Sequence, residues 1–329
     1  MLLNFKRKHV QILKYGVDFL YLSNAHEKQF MSVVKSSEIS VVNFSEKLKC
    51  YAQLFKLRLT SFVVISAVFG YFIGATSYHV GELFFLIVGG FLVTGASNAF
   101  NQIIEKNHDK LMERTKNRPL PLNKLNITET AWVASVIGVL GISILWLFLN
   151  PLSGVLGALA IFMYAVIYTP LKRITPFSVF VGAFPGAIPP MLGWVAATGS
   201  FSLGAGILFF IQFVWQFPHF WAIAWRVNDD YQKAGFKMLP FNKKNKVSSF
   251  ILLMSAIALL VVSVIPEWFG ISTKITTIGL AVFSLMMVYP AIRLIQTNDD
   301  KYALRIMLMS YLYLIGSLTI LLIDKLISF

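Results

Sequence analysis

The sequence predicts an all-α integral membrane protein with nine transmembrane helices, and its composition, the length of its apolar runs and the placement of its cations each point there. Hydrophobic residues make up 57% and charged residues 13%, with 29 Phe, about half the charged share of an average soluble domain. Nine apolar runs, over 60–78, 83–100, 131–149, 152–169, 177–198, 202–225, 248–265, 271–290 and 305–323, each approach the ~20 residues that a helix needs to cross a bilayer. With the N-terminus inside, the inner segments hold 10 Lys or Arg before Thr60, 6 from Asn101 to Thr130, 2 at Lys172 and Arg173, 6 from Arg226 to Val247, and 3 around Arg293 to Arg305. Of 29 such residues only Lys274 and Lys325 fall outside. The positive-inside rule therefore predicts a cytoplasmic, or matrix-side, N-terminus. Topology and contact with anionic membrane lipid account for the net charge of +14, and no nucleic-acid partner is needed.

Residues 1–45 read as a polar cytoplasmic extension with a weak apolar periodicity from Val10 to Leu22 and without the pattern of a signal peptide. Met31 is an alternative start. The segment from Phe44 to Arg58, FSEKLKCYAQLFKLR, reads as an amphipathic lead-in at the interface, and residues 46–329 as one nine-helix domain. The single cysteine, Cys50, excludes an internal disulfide or a Cys-rich metal site and reads as a small apolar filler. Outer loops are short, as at His79–Glu82 and Asn150–Ser153, whereas the inner ones are long. Loops on a rigid scaffold carry chemistry, so the inner face is the working face.

The second run ends in NQIIEKNHDKLMERTKNRPLP, which sets Asn101, Glu105 and Asp109 four residues apart. Four-residue steps on a helix drift by only about 40°, so three oxygen ligands share one face. That face suits Mg²⁺, and with Arg114, Lys116 and Arg118 behind it the arrangement can attract a diphosphate. A second charged loop, RVNDDYQKAGFKMLP from Arg226 to Pro240, brings Asp229 and Asp230 to the same inner side, and Lys172 and Arg173 lie on a third. Two acidic clusters backed by cations can hold Mg²⁺ on either side of one diphosphate, which is a way to ionise an allylic ester where water is excluded.

Within the fifth run, VGAFPGAIPPMLGW carries Pro185, Pro189 and Pro190, which predicts an interrupted helix that either lines a cavity or kinks where small residues meet another helix. The sixth run places His219 in the aromatic stretch QFVWQFPHFWAIAW, where an intramembrane histidine either has a role at the site or is a hydrogen-bonded structural residue against the aromatic cluster. Trp215, Trp221 and Trp225 are candidates for an aromatic wall beside it, and His108 reads as a solvated residue between acidic positions. A transporter would also offer many helices and a cavity, but its ionisable residues would cluster near the midplane rather than at one face.

These residues resemble the UbiA-type intramembrane prenyltransferases and, within them, the protohaem IX farnesyltransferase branch. The likeness runs from about Tyr51 to the C-terminus and is carried by DxxMxRTxxRPLP from Asp109, YTPLKRxT from Tyr168, GAxPPxxGW from Gly186, WQxPHFxAxxW from Trp215 and DDYxxAGxxMLP from Asp229. It implies nine helices around a central cavity, with farnesyl diphosphate and haem b as substrates and Mg²⁺ as cofactor. Asn101, Glu105 and Asp109 would form the first metal-diphosphate motif, and Asp229 and Asp230 the second. Arg114, Arg118, Lys172 and Arg173 would bind the diphosphate, and His219 with Trp215 would contact haem. The product would be haem O, with haem A synthase or terminal-oxidase assembly factors as partners. The expected setting is the bacterial inner membrane, with the mitochondrial inner membrane as the alternative. A UbiA-type enzyme acting on an aromatic quinone precursor is the competing reading. Three departures stand out: Glu105 stands where many members have Asp, the second motif lacks a clean DxxxD because Arg226 and Val227 occupy positions that are acidic in some aromatic prenyltransferases, and the first span opens KLR at Lys56–Arg58 rather than KPR.

Overall fold

The computed structural model describes residues 43–328, which contain nine helices long and apolar enough to span a membrane. They are Leu57–Gly74, Val80–Asp109, Ile127–Phe148, Pro151–Leu171, Ser178–Thr198, Leu203–Arg226, Lys246–Trp268, Lys274–Thr297 and Asp300–Ser328, called here the first to ninth spans. The chain divides into two compact units, Met1–Glu46 and Lys47–Phe329. Apart from its last residues, the first unit lies outside the described part of the chain, and with it the expected polar extension and Met31. The second unit is all helical among the described residues.

A lead-in helix, Phe44–Leu54, precedes the first span. Lys47 Nζ lies 2.6 Å from Glu129 and the Tyr51 hydroxyl donates to the same carboxylate at 2.8 Å, so the lead-in is tied to the start of the third span. The chain then turns through Lys56, whose left-handed φ of 47° and ψ of 56° end one helix and begin the next. Two amides of the second span hold this corner. Gln102 Nε2 donates to the Leu54 carbonyl at 2.7 Å, and Asn98 Nδ2 to the Phe55 carbonyl at 3.4 Å.

Spans one to five pack in a closed series, each against the next and the fifth back against the first. Spans six to nine form a second series, joined to the first through the fifth and sixth spans. The first and fifth spans meet at Gly70 and Gly193, where a Cβ would run into the carbonyl of Pro190 or of Ala67. Only glycine admits that approach of two backbones, as in other intramembrane helix contacts. At the far end of the ninth span two adjacent residues cap different helices. Asp324 accepts from the Thr273 N–H at 2.6 Å, at the N-terminus of the eighth span, while Lys325 donates to the Ile73 carbonyl at 2.7 Å, at the C-terminus of the first. Each charge faces the helix end of opposite sign.

The fifth span departs from expectation. Despite Pro185, Pro189 and Pro190 it is one continuous helix, Ser178–Thr198. Proline removes a donor and leaves a carbonyl to be satisfied elsewhere, but tight packing against the first and sixth spans holds the helical path. Pro185 and Pro189 do line a cavity, as the sequence suggested.

Candidate active site

That cavity, of about 210 Å³, is lined by spans one to six, the third through Leu145 alone. Its lining is mostly aliphatic and aromatic; the polar groups include Ser97, Asn98 and Gln216. One helix face links it to the acidic motif. Val93 and Ser97 line the cavity, and the same four-residue stride continues through Asn101, Glu105 and Asp109, so an apolar wall turns acidic toward the C-terminal end of the second span.

All three acidic-motif residues are buried, Asp109 completely. Asn101 Nδ2 donates to Thr169 Oγ1 at 3.1 Å. Glu105 pairs with Lys172, and Arg118 Nη1 donates to Asp109 Oδ2 at 2.7 Å. The two cations expected to meet a diphosphate thus already neutralise the two carboxylates. Burial alone would lower the Lys172 ammonium, but Glu105, together with Tyr164 and Tyr231, outweighs it and holds the pKa above the ordinary lysine value. Asp109 Oδ1 is buried with no hydrogen-bond partner. Such an oxygen carries a desolvation cost that a divalent cation would remove, so the residues fit Mg²⁺.

The fourth span delivers Lys172 through a feature that the sequence did not reveal. Phe162–Tyr168 is a π-helical turn, and Thr169 Oγ1 reaches back to the Tyr164 carbonyl at 2.7 Å. Such turns are rare and recur at functional sites. Here the turn sets Tyr164 and Tyr168 in the cavity wall, with Lys172 Nζ 4.7 Å from the centre of the Tyr168 ring. Tyr168 covers Gly182, where any side chain would displace the ring.

The loops that follow the second, fourth and sixth spans interlock over this cluster. The Lys237 N–H donates to the Lys172 carbonyl at 2.7 Å, and the Arg114 N–H reaches Asp230 Oδ2 at 3.5 Å. The Arg114 guanidinium stands 4.7 Å over the Tyr231 ring. His108, expected to be solvated, is instead a bridge. Arg173 donates to its Nε2 at 2.9 Å, which leaves Nδ1–H to donate to the Ala234 carbonyl at 3.0 Å. Asp229 is exposed, and Asp230 is half-buried with Lys233 at 4.0 Å. Among the described residues no three His, Cys, Asp or Glu side chains converge on one point that could hold a metal ion. The two acidic clusters share a face without touching, which suits ions that take part of their coordination from substrate phosphates.

Lys56 is the residue that sequence reasoning passed over, noted only as part of KLR. Burial, then the nearby Arg118 and Lys172 cations, lower its ammonium pKa to about 7, against the pull of Glu105 and Asp109. A diphosphate arriving there would favour the charged form and raise that pKa. Between pH ~7 and ~10, binding should therefore take up a proton and weaken as pH rises. Titration calorimetry with Mg²⁺ and farnesyl diphosphate at pH 8, in buffers of different ionisation enthalpy, should show this uptake. It should vanish in Lys56→Arg, which stays charged; uptake unchanged in that variant would remove Lys56 from the site.

The expected haem contacts lie elsewhere. Gln216 and Phe220 of the sixth span face the cavity, whereas His219 and Trp215 face the ninth span through Ser310. Trp225 Nε1 donates to Asp300 at 3.0 Å, and Trp221 packs 5.4 Å from Phe217. The cavity wall takes its aromatic rings from Tyr164, Tyr168 and Phe220, with no tryptophan among them.

A bundle of membrane helices with a buried acid–cation cluster at one end of an apolar cavity suits an intramembrane prenyl-transfer enzyme. Residues 63–315 match the UbiA prenyltransferase family, and the chain belongs to it. It is a multi-pass integral membrane prenyltransferase. Among its relatives, the protoheme IX farnesyltransferase of Christiangramia forsetii is 46% identical over 85% of this chain and 94% of that protein. The protein of the same name from Flavobacterium psychrophilum is 42% identical over 84% and 94%. The fold is shared with a solved digeranylgeranylglyceryl phosphate synthase at a TM-score of 0.71, 18% identity, and coverage of 85% of this chain and 99% of that one. A UbiA homologue from Archaeoglobus fulgidus bound to GPP and Mg²⁺ matches at 0.60, 12% identity, over 83% and 99%.

Proposed function

We propose that this chain transfers the farnesyl group of farnesyl diphosphate to a vinyl group of haem b, with addition of water, giving haem O and diphosphate. The observation that carries the chemistry is the second-span face that lines the cavity at Val93 and Ser97 and turns acidic at Asn101, Glu105 and Asp109. Support for the acceptor comes from relatives named protoheme IX farnesyltransferase, 37–46% identical to this chain.

Asn101, Glu105 and Asp109 would hold Mg²⁺ for the diphosphate, and Asp229 and Asp230 would serve a second ion. Such metal would supply stabilisation of the negative charge that builds on the departing diphosphate. Arg114, Arg118, Lys172, Arg173 and Lys56 neutralise its outer oxygens. The apolar cavity receives the isoprenoid chain and excludes water while the allylic cation exists. The bond from C1 to oxygen breaks with both electrons leaving on the diphosphate, and the vinyl π pair forms the new carbon–carbon bond. The resulting cation, stabilised by the porphyrin, is captured by water, which then loses a proton. No covalent protein nucleophile takes part.

The reaction faces the cytoplasmic side of a bacterial inner membrane, with the ninth span ending on the other side. Single cysteines placed at Asn123 and Ser328 in a Cys50→Ser background should label from opposite sides; labelling from one side would refute the shared inner face of the acidic loops. Acceptor choice is tested with purified protein, Mg²⁺ and farnesyl diphosphate, offering haem b and an aromatic acid in competition. Prenylated haem is the expected product, and a prenylated aromatic acid alone would replace this reading with that of a quinone-precursor enzyme.

A further inference from the structure

Gln216 lines the cavity with only 2% of its surface exposed, and its neighbours decide which end of the amide the cavity meets. Nε2 donates to the Ala183 carbonyl of the fifth span at 2.8 Å and to the Gln212 carbonyl one turn back at 3.2 Å. Two acceptors require the nitrogen there, which spends both of its N–H groups and leaves Oε1 as a pure acceptor. Oε1 makes no hydrogen bond among the described residues. It fills the space over Gly186, another lining residue, where a Cβ would run into it. The packing has little need of this amide. In a continuous helix the carbonyls of Ala183 and Gln212 also face the N–H groups of Ala187 and Gln216, four residues on.

The wall beside Oε1 offers more acceptors. Pro189 and Pro190 have no N–H, so the carbonyls of Pro185 and Gly186 lose the partners that the helical pattern would give them. Pro185, Gly186 and Pro189 all line the cavity. The level is that of the reacting carbon. Tyr168 covers Gly182, and the adjacent Thr169 accepts from Asn101 of the acidic motif at 3.1 Å. Gly186 lies one turn, about 6 Å, further along the fifth span, so a diphosphate held at the acidic cluster sets its first carbon beside Oε1.

We propose that Gln216 is a catalytic residue whose Oε1 stabilises the allylic cation formed when the prenyl diphosphate ionises. This rests on farnesyl diphosphate as the donor and is independent of the acceptor. As the bond from C1 to oxygen breaks, both electrons leave with the diphosphate and the positive charge spreads over C1 and C3. Oε1 stays neutral and forms no bond. Its dipole is fixed before the reaction with the negative end toward the carbon that becomes positive, so no reorganisation is needed as the charge develops. In a cavity that excludes water this attraction is stronger than it would be in solvent. The same oxygen, left without a donor in an apolar wall, carries a desolvation cost that the cation removes.

The test is single-turnover release of diphosphate from farnesyl diphosphate by the full-length protein in detergent, with Mg²⁺ and haem b present. Release reads ionisation whatever becomes of the cation. Gln216→Met keeps the length of the side chain and loses the dipole, whereas Gly186→Ala drives a methyl group against Oε1 from the neighbouring helix. Each should slow release about 100-fold, the scale of losing one preorganised dipole, with affinity for farnesyl diphosphate changed by less than about threefold. Melting temperature should stay near that of wild type in Gln216→Met, which decides alone if Gly186→Ala does not fold. Release at the wild-type rate in Gln216→Met would overturn the proposal, as would joint loss of binding and melting temperature, the mark of a structural role. If wild type itself releases no diphosphate from farnesyl diphosphate, the donor reading falls and takes the proposal with it. If diphosphate is released as expected but haem b stays unmodified, the acceptor reading alone falls.

Discussion

Replacement of Asp109 by Ala is expected to lower farnesyl transfer by about three orders of magnitude, the scale of the several kcal/mol that a metal-held leaving group contributes. Asp109 is fully buried, has one oxygen paired with Arg118 and presents the other without a partner. The fold should survive, because Arg118 is partly exposed and can turn to water. Asp109→Asn keeps the shape and loses the charge, so it should fall almost as far as Ala. The measurement is turnover at saturating Mg²⁺, with the melting temperature as control. Near-normal turnover in either variant would remove Asp109 from the metal site.

Lys172→Ala should act on stability first. Lys172 and Glu105 expose only 10% and 6% of their side chains, so the substitution strands a buried carboxylate. Breaking a buried pair from one side typically costs about 3–5 kcal/mol. The loss should appear as a lower melting temperature in chelator and should shrink when Mg²⁺ is added, because a second cation can then neutralise Glu105. Transfer should still be impaired with Mg²⁺ present, since the diphosphate has lost a partner. A variant that melts like wild type and responds to Mg²⁺ no differently would contradict the sharing of Glu105 between lysine and metal.

The nine spans were legible in the sequence because crossing a bilayer demands apolar length, and few other constraints produce nine such runs. Asn101, Glu105 and Asp109 were legible because a four-residue stride needs only the helix itself to bring them together. Other features depend on partners distant in sequence. The π-helical turn at Phe162–Tyr168 has no signature in FMYAVIY and shows only through the reach of Thr169 to Tyr164. Lys56 was hidden by its left-handed backbone, which a non-glycine residue rarely adopts, and here amides from Asn98 and Gln102 hold the adjoining carbonyls. The rotation of the sixth span about its axis decided that Gln216, and not His219, faces the cavity. That rotation is anchored by Ser310, more than 90 residues away. The fifth span reads as broken from its prolines but stays continuous because glycine contacts with the first span, at Gly70 and Gly193, clamp it.

The central claim is that the acidic face at the end of the second span ionises farnesyl diphosphate for transfer to haem. The most direct measurement is the mass of haem extracted from membranes of cells that express this chain, set beside cells expressing Asp109→Ala at equal protein level. Wild-type membranes should contain haem heavier by one farnesyl group and one hydroxyl group, and the Asp109→Ala membranes only haem b. Unmodified haem b in both, with the protein present and folded, would contradict the account.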